Sequence, residues 1–433
     1  MNNKTNELIG GMLFKGLYIF ITSLNALLMV KILSPKDLGV WYVFMTLQTL
    51  IFTLNNAIIP NIARQYTLGS LSKELNFNCY IFHRSTQKIF IYLILLILII
   101  CAIATFTYLS SVLAILESQN KIVLVSWLII VFSLCLEVYY SSYDCAFNGM
   151  GKFKNVNKIN FISRACLFLI SIGMIAYDID GRNALLYFCI GYFISNLIKR
   201  FFIYRLFISN YHNLCFNSES DTESFYKKNE KIILNLSCMS FISSIGGMLI
   251  VRGGMLILPY YVSIEEVGKY GLTYQLFEIA FNLLFTASAI KTPSWIFLYK
   301  ENKCELKKSY LKIKYVSLIV MAIGGGVISF YGGQILSLFG LHATLLTTNL
   351  CLLLTLIFIL QLNHSISGQL LTIQNKIPYA YASLYTGIGV VLLSMIFIPI
   401  TGFKGALVAI FISQLAYNNW KWPLEARKKI INV

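Results

Sequence analysis

Ser34-Pro35-Lys36-Asp37-Leu38-Gly39-Val40-Trp41 lies between two apolar segments, and Ser263-Ile264-Glu265-Glu266-Val267-Gly268-Lys269-Tyr270 lies between two more. Each reads as a Ser, a short acidic turn, an aliphatic residue, a Gly and then an aromatic. A second pair stands at a similar separation of about 225 residues: Asn148-Gly149-Met150-Gly151-Lys152-Phe153 and Thr372-Ile373-Gln374-Asn375-Lys376-Ile377. Self-similarity at a fixed offset in a hydrophobic chain marks a transporter built from two related halves.

Composition agrees with that reading. The chain has 433 residues, 57% of them hydrophobic and 12% charged, with a mean hydropathy of +0.71. A soluble domain carries about 25% charged residues, so the chain is polytopic. Its net charge is +17, from 35 Lys and Arg against 18 Asp and Glu. A nucleic-acid binder concentrates such charge on a soluble face. Here it sits in short gaps between apolar runs, as membrane topology requires, and no nucleic-acid partner is expected. The 10 Cys are scattered singly, with Cys101, Cys135, Cys166 and Cys189 inside apolar runs. They read as small buried residues and not as a disulfide or metal framework. The first apolar segment is too long for a signal h-region and has no small-residue cleavage site, so a membrane span is expected there instead of a cleaved leader.

A helix needs about 20 apolar residues to cross the hydrocarbon core. That length predicts spans at 8–32, 39–63, 89–109, 122–147, 159–178, 184–208, 232–259, 269–291, 311–331, 345–371, 379–400 and 405–424. Alternate gaps are rich in Lys and Arg: Arg64, Lys73, Arg84 and Lys88; Lys152, Lys154 and Lys158; Lys199, Arg200 and Arg205; the run Lys300 to Lys314; and Arg427, Lys428 and Lys429. The other gaps hold only Lys31, Lys36, Lys121, Arg182, Lys269 and Lys404. The asymmetry places both termini in the cytoplasm. The expected fold is all-α: about twelve transmembrane helices in two parallel six-helix bundles around a central cavity. Residues 1–208 form the first lobe, 209–231 a cytoplasmic linker and 232–433 the second lobe. The outer gaps are short and leave no room for an external catalytic domain.

Polar groups inside a membrane are costly, so each needs a reason. On the fourth predicted helix Ser133, Glu137, Tyr140, Ser141, Asp144 and Asn148 share one face. The repeat offset maps that stripe onto Gln361, His364, Ser365, Gly368 and Thr372 of the tenth. The two stripes read either as cavity lining or as hydrogen-bond glue between helices. The eighth helix carries Tyr274, Gln275, Glu278 and Asn282 on one face; the first carries Lys15, Tyr18, Thr22 and Asn25; the second has Gln48 and Asn55. Glu278 must pair with a cation, bind one, or be protonated. Lys15 and Arg252 either snorkel to an interface or supply positive charge for an anionic substrate, a task for which the guanidinium fork suits pyrophosphate. Arg164 reads as a snorkelling anchor. Gly324-Gly325-Gly326 lacks the Lys-Ser/Thr of a phosphate loop and reads as close helix packing or a bend.

Leu33-Ser34-Pro35-Lys36-Asp37-Leu38-Gly39-Val40-Trp41 resembles the turn after the first helix of polysaccharide biosynthesis exporters, and Phe147-Asn148-Gly149-Met150-Gly151-Lys152-Phe153 resembles the short basic turn after their fourth. With twelve spans in two parallel halves, the chain is similar to the O-antigen flippases (Wzx-type) of the multidrug/oligosaccharidyl-lipid/polysaccharide superfamily. The resemblance implies translocation of undecaprenyl-pyrophosphate-linked oligosaccharide units from the cytoplasmic to the periplasmic leaflet of a bacterial inner membrane, by alternating access and without enzymatic chemistry. Relatives that flip the peptidoglycan precursor carry Arg on the first, second and seventh or eighth helices. Lys15 and Arg252 fall in comparable helices, but the second helix interior is uncharged, which counts against that precursor. Lys15 and Arg252 are therefore expected to attract pyrophosphate. The stripes are expected to take the sugars, and Glu137 or Glu278 to couple transport to protons or Na⁺, with no other cofactor. Expected partners are the lipid-linked oligosaccharide, membrane lipid, and a polysaccharide polymerase with its chain-length regulator. The alternatives are a multidrug extruder of the same superfamily and an integral-membrane polysaccharide polymerase, although the latter carries a large periplasmic loop that is missing here.

Overall fold

The computed structural model describes residues 2–71, 79–110, 120–178, 183–211, 223–338, 340–341, 344–374 and 377–431. Where no water reaches, a backbone must satisfy its own polar groups. The described residues are accordingly helical throughout, without strands. The helices are α1 (Asn2–Ile32), α2 (Pro35–Leu71), α3 (Cys79–Ala104), α4 (Asn120–Gly149), α5 (Phe153–Ala176), α6 (Ala184–Tyr211), α7 (Glu223–Ile257), α8 (Ile264–Glu301), α9 (Lys303–Leu338), α10 (Thr348–Leu371), α11 (Ala380–Thr401), α12 (Phe403–Ala416) and α13 (Asn418–Ile431). A π turn, Thr105–Leu109, extends α3, and 3₁₀ turns Leu258–Tyr260 and Thr372–Gln374 follow α7 and α10. Ten of these helices are long and apolar enough to cross a membrane, so the protein is a multi-pass membrane protein.

Two expectations need correction. The last predicted span, 405–424, is two helices of 14 residues each that break at Tyr417. At 1.5 Å per residue α12 covers roughly 21 Å, short of the about 30 Å hydrocarbon core. The stretch 209–231 is helical at both ends, closing α6 and opening α7, and residues 212–222 lie outside the described ones. Also outside them are Lys73, Arg182, Asn375 and Lys376.

The chain divides into two compact units, one of residues 1–37 and 47–241, the other of 38–46 and 242–433. Within the first, α1 packs on α5, α3 on α4, α4 on α6 and α5 on α6. In the second, α9 packs on α10, α10 on α12 and α11 on α12. A Cβ on Gly246 of α7 would strike the Ser383 carbonyl of α11, and one on Gly387 would strike the Gly246 carbonyl. These small residues bring α7 onto α11. The second unit thus repeats these four pairings of the first.

The duplicated motif is a helix start. The Ser34 hydroxyl accepts the Asp37 N–H at 3.2 Å and donates to the Asp37 carboxylate at 2.8 Å. The Ser263 hydroxyl accepts the Glu266 N–H at 3.3 Å. Ser followed three residues later by an acid satisfies the free N–H groups of a first turn. The glycines serve close approach: a Cβ on Gly39 would overlap the Ile264 carbonyl, and one on Gly271 the Tyr42 ring. The other duplicated turn, in the first unit, uses Gly151 at φ +76°, a conformation that favours glycine.

Candidate functional site

In the first unit the polar stripe of α4 faces cations on α6. Arg200 is buried, its Nη1 lying 3.0 Å from Asp144 Oδ2 and its Nη2 2.9 Å from Glu137 Oε1. Lys199 Nζ stands 3.2 Å from the same Glu137 oxygen. Arg164 of α5 lies over the Tyr192 ring, 5.1 Å from its centroid, and is near enough to act on Glu137 and Tyr18. Lys15 of α1 sits 5.2 Å from the centroid of Tyr18. Three cations, Arg164, Lys199 and Arg200, therefore gather around two carboxylates, while Lys15 is exposed beside Tyr18; Arg200 Nε is buried without a hydrogen-bond partner.

Neutral groups build the frame around this cluster. Asn196 donates to the Ser133 hydroxyl at 2.9 Å, Asn55 to Ser141 at 3.0 Å, Gln48 to the Tyr192 hydroxyl at 2.8 Å, and Asn25 to the Arg164 carbonyl at 3.0 Å. Tyr140 packs edge-on against Tyr139 and Tyr204. Ser133, Glu137, Ser141 and Asp144 each hold a neighbouring helix in place.

In the second unit Arg252 Nη2 pairs with Glu278 Oε2, and its guanidinium lies 5.5 Å from the Tyr274 ring centroid. The Tyr42 hydroxyl donates to Gln275 Oε1. Asn282 is exposed one turn further along α8. Lys314 of α9 is buried against the hydroxyls of Tyr310, at 3.3 Å, and Ser367, at 3.2 Å.

Gln361, His364, Ser365 and Gly368 of α10 line a cavity of about 340 Å³ in the second unit. Phe281 and Phe285 of α8 form one wall, and Tyr379 and Trp422 another. His364 Nδ1 faces the Leu360 carbonyl at 3.1 Å; a carbonyl only accepts, so this nitrogen carries the proton. Gln369 Nε2 donates to Thr292 at 3.0 Å, and Asn418 joins Thr386 to the Trp422 indole. Gln361 Oε1 is buried with no hydrogen-bond partner. No Lys, Arg, Asp or Glu is among the lining residues.

Some sequence expectations shift accordingly. Lys199 and Arg200, read as residues of a cytoplasmic gap, lie inside α6 and pair with the α4 stripe. Arg164, read as a snorkelling anchor, turns onto Tyr192. Of the three readings open for Glu278, the structure shows pairing with a cation, Arg252, so Arg252 is part of an ion pair. Gly325 brings α9 onto Thr355 of α10, which is the close packing expected of the Gly triplet. Asn196, Tyr192, Tyr379, Asn418 and Trp422 carried no separable signal, because isolated amides and aromatics in apolar runs look alike wherever they point.

No protein-family model matches the chain, and no curated protein matches it. Solved structures do. An inward-facing multidrug resistance MATE family transporter of the MOP superfamily aligns with a TM-score of 0.68 at 15% identity, over 98% of both chains. An outward-facing MATE transporter aligns with a TM-score of 0.65 at 14% identity, over 99% of this chain and 96% of its own. A MOP superfamily transporter from Pyrococcus furiosus, described by a binding pocket of reverse polarity, aligns with a TM-score of 0.62 at 14% identity, over the same shares. The chain has the fold of these MOP superfamily transporters along essentially its whole length.

Proposed function

We propose that this protein moves an anionic, lipid-linked oligosaccharide from the cytoplasmic to the periplasmic leaflet of a bacterial inner membrane by alternating access of its two halves. The observation that carries this reading is the charge balance of the first unit: Lys15, Arg164, Lys199 and Arg200 against Glu137 and Asp144. Cations in excess of their carboxylate partners at membrane depth are costly and are kept for a ligand or a pathway. Arg and Lys at this density fit a pyrophosphate, whose oxygens accept charge-assisted hydrogen bonds. Glu137 and Glu278 are the candidates for coupling to protons or Na⁺, because neutralising either would release its cation partner. A cycle needs a ligand that binds its two states differently, and such a carboxylate supplies one.

A second reading, a multidrug extruder, is favoured by the solved MATE multidrug transporters that align end to end in both inward- and outward-facing forms. Against it stands the pairing of Glu137, Asp144 and Glu278 with cations of the same chain, which leaves no free carboxylate among them for a cationic drug.

Gene deletion in the native host, followed by lipid-linked sugar analysis, separates the two. The proposal expects undecaprenyl-pyrophosphate-linked units to accumulate on the cytoplasmic leaflet, with surface polysaccharide lost and then restored by the intact gene. Normal polysaccharide with heightened sensitivity to cationic drugs would establish the extruder instead. Single units reaching the periplasmic leaflet without lengthening would point to a polymerase.

A further inference from the structure

We infer that the cavity of the second unit is a neutral sugar subsite, holding a ring of the oligosaccharide. The inference rests on the lipid-linked oligosaccharide reading and adds to it a place for the carbohydrate. At about 340 Å³ the cavity falls at the low end of ligand pockets, about 300–1,000 Å³.

Its wall chemistry selects among ligand classes. A pyrophosphate requires Lys, Arg or a cluster of N–H donors, and no Lys or Arg lines the wall. A cationic drug buried in a membrane is best held by a carboxylate, and no Asp or Glu lines it either, which leaves only the aromatic rings to attract a cation. A purely apolar tail would leave Gln361 Oε1 unsatisfied, at a cost of about 1–3 kcal/mol. What remains is a ligand that is neutral, rich in hydroxyl or acetamido groups, and apolar on one face.

A pyranose has those properties. Its C–H face matches the aromatic rings of Tyr379 and Trp422, and its hydroxyls both donate and accept, as amides and serine hydroxyls do. Gln361 supplies the second, independent sign. Its side chain is buried, and its Oε1 accepts nothing in the structure. Buried polar atoms are nearly always hydrogen-bonded, so this acceptor awaits a donor from whatever fills the cavity. Gln369 and Asn418 are already committed, to Thr292 and to Thr386 with Trp422. They hold the wall rigid, and Gln361 is left as the reader.

The test compares binding of bare undecaprenyl pyrophosphate with that of undecaprenyl pyrophosphates bearing one N-acetylglucosamine, N-acetylgalactosamine or glucose, using the full-length protein in nanodiscs and Trp fluorescence. We expect at least one sugar to tighten binding. Gln361→Leu, close in volume, should remove that gain, weakening the sugar-bearing ligand roughly three- to tenfold while leaving bare undecaprenyl pyrophosphate unchanged. The unchanged control also establishes that the variant folds; should it fail, Ser365→Ala is read in its place. If bare undecaprenyl pyrophosphate binds but no sugar adds affinity, or if the gain survives both substitutions, the subsite is overturned while the anion reading stands. Failure of bare undecaprenyl pyrophosphate to bind the wild type would overturn the anion reading itself. Binding of ethidium that depends on Gln361 would assign the cavity to cations.

Discussion

At the scale of single residues the protein is governed by where its charges find partners. Arg200 holds Glu137 and Asp144 at once, and removing one member of a buried ion network strands the others. Arg200→Met should therefore lower stability by roughly 3–5 kcal/mol, read as a fall in melting temperature in detergent. Adding Asp144→Asn to Arg200→Met should recover part of that loss, because it removes one of the two stranded charges. A double variant no more stable than Arg200→Met would show that Asp144 is not coupled to Arg200. The sequence marked Glu137, Asp144 and Glu278 as charges that needed an explanation, since a carboxylate at membrane depth is costly wherever it points. It did not reveal the partners of the first two. Lys199 and Arg200 stand near the end of an apolar run, where a cytoplasmic flank has the same appearance, and only tertiary packing shows that they turn inward to α4. Gln361 and His364 were legible through the repeat offset, whereas Tyr379 and Trp422 on the facing wall were not.

At the scale of elements the helices are set by hydropathy and the turns by a few small or capping residues. Ser34 and Ser263 cap α2 and α8. Ser263→Ala should cost about 1 kcal/mol, measured by chemical or thermal unfolding, and Ser263→Asp should retain most of the wild-type stability. Gly39→Val belongs to a harsher class. Its side chain would meet the Ile264 backbone, which cannot move aside as a side chain tip can, so overpacking of about 1–3 kcal/mol or more is expected. The measurement is yield of folded protein by size exclusion, where wild-type yield would contradict the close approach. Hydropathy revealed where the helices run, because lipid demands about 20 apolar residues in a row. It missed the break at Tyr417, since Phe403–Ala416 and the following turn read as one apolar run, and only the polar Asn418-Asn419 pair hints at the join.

At the scale of the whole molecule the two units share four helix pairings, and the Lys and Arg bias of the gaps predicts that both termini are cytoplasmic. Cys304 is exposed near the start of α9, on the side expected to be cytoplasmic. A membrane-impermeant maleimide should leave it unlabelled in intact spheroplasts and label it in inverted vesicles; the reverse would invert the topology. The fold is shared with solved MOP superfamily transporters, and fold alone does not choose the substrate; the proposed anion rests on the charge balance of the first unit. The most direct test is translocation by the purified protein in proteoliposomes under a proton or sodium gradient, using a fluorescent undecaprenyl-pyrophosphate-linked sugar and a quencher confined to one leaflet. The account predicts leaflet exchange that falls at least tenfold when Arg164 and Lys199 are both changed to Gln. No exchange of the lipid-linked sugar, together with gradient-driven ethidium uptake that ignores those substitutions, would contradict it.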